Sequence, residues 1–252
     1  GTISSNYFGV KGNLTVTGTG RINTASSTTA AIGFVFNGSG AVQTLSNTST
    51  GSTSSTECAY QVNSGAVVRL AANLVLGTGT VIKSDITTLS GGTLDCGVYV
   101  ISGGATGGGG CIINSGGKLI TAHTGGIASS VPATGSTFNS GGHYEFDGTS
   151  AQVTSTRLPS AMVSPGAITI NNSAGVTLSQ ATSFASGSTV NLLNGTFTNG
   201  TSLTMSSGSA VVRDNGTLSA TPSTYSGVNL SYANLGNNVS AVTTANEFPS
   251  SF

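Results

Sequence analysis

Charge is what this sequence has least of. Only 6% of its 252 residues are Asp, Glu, Lys or Arg, against about a quarter in ordinary domains. Seven basic and seven acidic side chains cancel, and they are scattered singly. Without a Lys/Arg cluster there is no electrostatic footprint for phosphates and no polybasic segment for an anionic bilayer surface. No nucleic-acid partner and no membrane insertion are therefore expected. The longest apolar stretches, Ala30–Phe36 and Leu70–Leu76, fall far short of the roughly 20 residues a spanning helix needs. Tryptophan is absent, which removes the largest ring for a carbohydrate platform.

Cysteine is also scarce. Cys58, Cys96 and Cys111 form no CxxC pair, and no HxxxH spacing exists, so neither a zinc site nor a dense disulfide framework fits. Cys96 and Cys111 flank a glycine-rich segment and could meet across neighbouring strands, leaving Cys58 free. The preferred reading is that all three are small buried hydrophobes. Glycine, by contrast, is abundant at 38 residues. Even so, no G-x-S-x-G elbow, P-loop or G-x-G-x-x-G turn occurs, so nucleophilic hydrolysis and nucleotide chemistry lose their usual signatures.

Helical periodicity is missing, because Gly or paired Ser/Thr interrupts every candidate window. Strand patterning is everywhere. Asn13–Thr17, Gly65–Leu70, Ala167–Ile170, Val176–Leu178 and Ser188–Leu192 alternate apolar with polar residues, which sends one set of side chains inward and the other outward. Asn37-Gly38, Asn194-Gly195, Asn199-Gly200, Asn215-Gly216, Ser64-Gly65 and Ser207-Gly208 punctuate the runs with residues that tolerate tight corners. Between Ile168 and Leu218 the apolar centres fall at Ile170, Val176, Leu178, Phe184, Val190, Leu192, Phe197, Leu203, Met205, Val211 and Leu218. Runs this short suit an all-β parallel β-solenoid, with coils of about 20 to 25 residues and on the order of ten coils. The alternative is a tandem array of antiparallel β-sandwich modules, because Asn-Gly also favours hairpins.

The chain also echoes itself. Phe36-Asn37-Gly38-Ser39-Gly40-Ala41-Val42-Gln43 returns as Phe146-Asp147-Gly148-Thr149-Ser150-Ala151-Gln152. Arg157-Leu158-Pro159-Ser160 returns as Glu247-Phe248-Pro249-Ser250. These echoes suggest two solenoid modules, residues 1–148 and 149–252, the second ending at the start of a further repeat, so that the chain is expected to be a piece of a longer array. Thr44–Glu57 and Gly103–Gly110 read as loops.

Gly92-Thr93-Leu94-Asp95-Cys96-Gly97, Ser115–Ala122, Tyr144–Thr154, Ile168–Ser179, Leu193-Asn194-Gly195-Thr196 and Asn246-Glu247-Phe248-Pro249 together resemble the long repetitive, adhesin-like surface proteins of Bacteroidetes-type bacteria. That resemblance, which covers most of the chain, implies type IX secretion and a cell-surface or extracellular location. It implies architecture more than activity.

Candidate sites are few. Glu145 and Asp147 share one face of a strand, about 6.6 Å apart, but a solvated pair is the preferred reading over an acid/base couple. His123 and His143 lie about one coil apart and are expected to hydrogen-bond to turns. Asp85, Asp95, Asp147 and Asp214 are isolated and lack the calcium-binding nonapeptide of β-rolls. The tyrosines Tyr7, Tyr60, Tyr99, Tyr144, Tyr225 and Tyr232 are expected to cap ends or fill the core. No catalytic, cofactor-binding or metal residue is assigned and no cofactor is expected. The sequence reads as a non-catalytic stalk or adhesin segment of a secreted surface protein. The alternatives are a carbohydrate-binding or carbohydrate-cleaving β-helix and a self-assembling extracellular filament subunit. Its expected partners are neighbouring repeat modules of the same chain, surface glycans or other copies of itself.

Overall fold

The computed structural model describes residues 7–18, 32–48, 58–77, 84–103, 109–225 and 227–232. Every pairing between the strands below is parallel. The protein is an all-β parallel β-solenoid, and antiparallel sandwich modules are ruled out for the described residues. Two compact units are present, Gly1–Ile120 with Ser129–Asn139, and Thr121–Ala128 with Ser140–Phe252.

In the first unit one row of stacked strands comprises β1 (Tyr7–Val10), β3 (Ile32–Phe36), β5 (Cys58–Val62), β8 (Ile86–Thr88), β11 (Cys111–Ile113) and β13 (Thr137–Phe138). A second row contains β2 (Leu14–Val16), β4 (Val42–Asn47), β6 (Val67–Leu70), β9 (Thr93–Asp95) and β12 (Lys118–Thr121), and a third pairs β7 (Leu74–Leu76) with β10 (Ile101–Gly103). The helix α1 (Gly126–Ser130) is a single short turn. The second unit stacks β14 (His143–Phe146), β17 (Ala167–Asn171), β20 (Thr189–Asn194), β23 (Ala210–Arg213) and β25 (Asn229–Tyr232) in one row. Its second row is β15 (Gln152–Val153), β18 (Val176–Thr177), β21 (Thr196–Thr198) and β24 (Thr217–Leu218), and its third is β16 (Ala161–Met162), β19 (Thr182–Phe184) and β22 (Leu203–Met205).

Register gives the coil length. In the first unit Phe8, Phe34, Tyr60 and Ile86 follow one another at equal steps, and Cys111 comes one position sooner than the same step would place it. The second unit behaves differently. Its register column runs His143, Ala167, Thr189, Ala210, Asn229, and every interval in that series is shorter than the one before.

Strands of two to six residues cannot stand alone, so stacking of like on like supplies the core. Val68, Leu94 and Leu119 form one inward column, and Tyr144, Ile168, Val190 and Val211 form another. Met162, Phe184 and Met205 make a third, with no exposed surface. Burying a side chain of this size contributes about 1.5–3 kcal/mol.

One corner repeats in every coil it can be traced through. The N–H groups of Ala66, Gly92, Gly117 and Ser209 close turns onto the carbonyls of Asn63, Leu89, Asn114 and Ser206. Between coils, Gly65 N–H donates to Gly91 (2.9 Å) and Gly91 N–H to Gly116 (2.8 Å), while Gly187 donates to Gly208 (2.9 Å) and Gly208 to Gly227 (2.8 Å). At Gly91 the backbone has φ +76°, and a Cβ there would stand 2.5 Å from Ser64 Oγ of the preceding coil. Only glycine meets both conditions.

The expected loop over Thr44–Glu57 needs correction at its start. Thr44–Asn47 belong to β4, because Leu45 fills the core and its neighbours alternate outward; residues 49–57 lie outside the described residues. Of the other expected loop, Gly103–Gly110, residues 104–108 lie outside the described residues; Gly103 closes β10, and Gly110, which is in no strand, donates its N–H to Asp85 Oδ1 at 3.0 Å.

Candidate functional site

The side chains able to do chemistry are mostly spent on joining one coil to the next. Gln43, 2% exposed, donates from Nε2 to the carbonyls of Val10 (2.9 Å) and Gly12 (2.8 Å) in the preceding coil, and its Oε1 accepts from Gly38 N–H (3.0 Å). Gln152 does the same in the second unit. Its Nε2 donates to Thr121 (2.9 Å) and His123 (3.1 Å), and its Oε1 accepts from Gly148 N–H and Asn172 Nδ2, both at 2.8 Å. A Cβ on Gly148 would lie 2.8 Å from the Gln152 amide carbon, so this corner demands glycine for space. The echo of Phe36–Gln43 in Phe146–Gln152 is thus a corner between β3 and β4 and again between β14 and β15. The C-terminal partner of the second echo, Glu247–Ser250, lies outside the described residues.

Asn199 is another such clamp. Its Nδ2 donates to the carbonyls of Gly200 (3.1 Å) and Ala220 (2.9 Å), and its Oδ1 accepts from Ala220 N–H (3.1 Å). Outward hydroxyls also pair across coils, Thr196 with Thr217 (3.3 Å) and Thr204 with Ser223 (3.0 Å).

The sequence-derived candidates are dispersed by the same logic. Glu145 sits on the outward column of β14 but is only 8% exposed, because Asn171 reaches back and donates from Nδ2 to its Oε1 at 3.2 Å. One level further along the same column, Asn191 Nδ2 donates to Thr169 Oγ1 at 3.2 Å. The expectation of a solvated carboxylate pair fails here: Glu145 is buried, and Asp147 is half-buried beyond the end of the strand, with its N–H donated to Thr121. His123 Nδ1 accepts from Gly125 N–H (3.2 Å), and His143 Nε2 lies 2.8 Å from the Pro165 carbonyl; each histidine serves a turn. Asp95, isolated in sequence, pairs with Arg69 of the preceding coil at 2.7 Å and accepts Gly97 N–H at 2.9 Å. Among the described residues no group of three or more His, Cys, Asp or Glu side chains converges to hold a metal ion, and no helix is long and apolar enough to cross a membrane.

The three cysteines are buried and unbridged. Burial pushes the Cys58 thiol up to about 11, against a smaller lowering by its hydrogen bond to Tyr60. Burial raises Tyr60 as well, reinforced by Cys58. Cys96 is raised by burial first, then by the neighbouring charges of Cys111 and Asp95. Thiols held in the neutral form are poor nucleophiles and poor metal ligands.

Aromatics divide by position. Tyr60 and Tyr144 fill the core, whereas Tyr7 and Tyr232 are exposed in the first and last described strands. Phe8, Phe34 and Tyr60 form a stacked ladder, with ring centroids 5.9 and 6.1 Å apart and interplanar angles of 28° and 22°.

No family model, curated protein or solved structure matches this chain.

Proposed function

We propose that this chain is a non-catalytic structural segment, a stalk or adhesive spacer, of a secreted bacterial surface protein. The observation that carries the reading is the fate of its polar side chains. Gln43, Gln152, Asn172 and Asn199 bond to backbone or amide groups of adjoining coils, and Glu145, Asp95, His123 and His143 each have a structural partner. An acid/base pair needs two titratable groups aimed at one substrate position, and these point to separate neighbours. A stack of coils whose polar groups are satisfied internally resists unfolding while presenting hydroxyl-rich walls. The resemblance to repetitive adhesin-like surface proteins supports the extracellular placement.

The test is a panel of polysaccharides incubated with the purified chain, with reducing ends measured against a Glu145→Gln control. Equal background from both proteins is expected. Release that disappears with Glu145→Gln would establish a carbohydrate-cleaving β-helix in its place.

A further inference from the structure

The Asn-Gly pairs at residues 37, 194, 199 and 215 are not chemically equal in the fold. An asparagine before glycine can lose its side-chain amide, because a glycine N–H with no Cβ beside it can close on the asparagine Cγ. Ring closure needs a side chain free to swing and an amide nitrogen held by no acceptor. Three of the pairs lack one of these conditions. Gly38 N–H donates to Gln43 Oε1 at 3.0 Å, and Gly216 N–H to the Leu192 carbonyl at 3.0 Å. Asn199 is 1% exposed and its amide is bonded at both ends, Nδ2 to the carbonyls of Gly200 and Ala220 and Oδ1 to Ala220 N–H. Asn194 meets both conditions. It is exposed at the end of β20, and among the described residues neither its side chain nor Gly195 N–H has a hydrogen-bond partner. The contrast is local, because register sets Leu192 against Arg213 and Thr196 against Thr217, so Asn194 and Asn215 stand at the same corner of successive coils. Glycine is also required there: Gly195 has φ +78°, and a Cβ on it would collide with the Asn172 carbonyl oxygen.

We propose that Asn194 is a modification site, converted by water alone to aspartate and isoaspartate while the protein stays folded. The Gly195 nitrogen attacks Asn194 Cγ: the N–Cγ bond forms, the Cγ–Nδ2 bond breaks, and ammonia leaves with the proton that the nitrogen gave up. Water then opens the cyclic imide. Cleavage at Cγ leaves an ordinary aspartate, and cleavage at the main-chain carbonyl leaves isoaspartate, whose chain runs through the side chain and is longer by a methylene. The Asn194 carbonyl accepts Asn172 N–H at 3.2 Å, and the Gly195 carbonyl accepts Thr217 N–H at 2.9 Å, so the lengthened link falls between a bond to the coil before and a bond to the coil after. Either product adds a negative charge. The inference is independent of the scaffold reading, since no enzyme or partner enters it.

The full chain is incubated at mildly alkaline pH, folded and in parallel in urea, and sampled by pepsin digestion in acid, where ring closure is slow. Mass spectrometry reads the acid-for-amide mass gain at Asn37, Asn194, Asn199 and Asn215. In the folded protein, conversion at Asn194 is expected to run at least about tenfold faster than at each of the others. In urea, where every one of these asparagines precedes glycine in an open chain, the rates are expected to agree within about threefold. Asn194→Gln, whose longer side chain would need a larger ring, is expected to remove the leading acidic species seen by ion exchange of the folded protein. No conversion at Asn194, a rate at any other pair equal to or above it in the folded chain, or a lead for Asn194 that urea leaves unchanged overturns the proposal.

Discussion

Ser64 and Gly91 are neighbours along the stack rather than along the chain: the hydroxyl of one occupies the space that a side chain on the other would need. Gly91→Ala is therefore expected to cost about 1–3 kcal/mol in a urea unfolding titration, part steric and part from forcing alanine to positive φ. Removing the hydroxyl as well, in Ser64→Ala/Gly91→Ala, should recover the steric share and leave the backbone share. A double variant no more stable than the single one would show that the contact carries none of the effect.

Gln152 is the clamp to break in the second unit. Gln152→Ala leaves the N–H of Gly148 without its acceptor, while the carbonyls of Thr121 and His123 keep the N–H groups of Asp147 and Gly126 and lose only a second donor, so a loss of about 1–3 kcal/mol is expected. Gln152→Glu retains the shape but sets a carboxylate against two carbonyl oxygens. It should be no better than the alanine variant at neutral pH and should improve as the pH falls toward about 4.

Arg69 and Asp95 illustrate an unequal ion pair. The arginine side chain is 57% exposed and the aspartate 5%, so screening limits the attraction while burial magnifies the loss of a partner. Arg69→Met is expected to cost about 1–2 kcal/mol, and the simultaneous Asp95→Asn change should return part of it. Thermal melts of the four proteins at low and high salt provide the check.

Alkaline pH should weaken the fold through Cys58. The folded thiol ionises near pH 11, above its ordinary 9.0, so the unfolded chain gives up its proton first. Stability is thus full below the ordinary value and declines as pH climbs through the interval between the two, by up to about 1.4 kcal/mol per pH unit for this group. Cys58→Ala should flatten the fall in melting temperature over that range, and an unchanged slope would assign the effect to the other buried acids.

Much of the fold was legible because burial in a solenoid follows strand alternation. All of the apolar centres read between Ile170 and Leu218 are buried, and Ala167–Ile170 and Ser188–Leu192 lie on β17 and β20 almost residue for residue. The Ser-Gly corners at Ser64, Ser90, Ser115, Ser186 and Ser207 also stand in plain view, and their spacing would have given the coil length directly. Contacts between coils were not legible. Asn171 over Glu145 and Arg69 beside Asp95 are each a full coil apart along the chain, and no local pattern pairs them until the register is known. The burial of Glu145 follows from that register and not from its own strand.

The steady shortening of the second unit's coils bears on how the chain finds its register. In an array of equal coils, a strand that settles one level too high meets a neighbour of the right length, and the error is nearly degenerate with the native pairing. Here a slip by one level sets a segment of one length against a perimeter made for another, so its corners and inward residues no longer coincide. Unequal lengths give each level its own address, and a slipped pairing is penalised by its mismatched corners and inward residues.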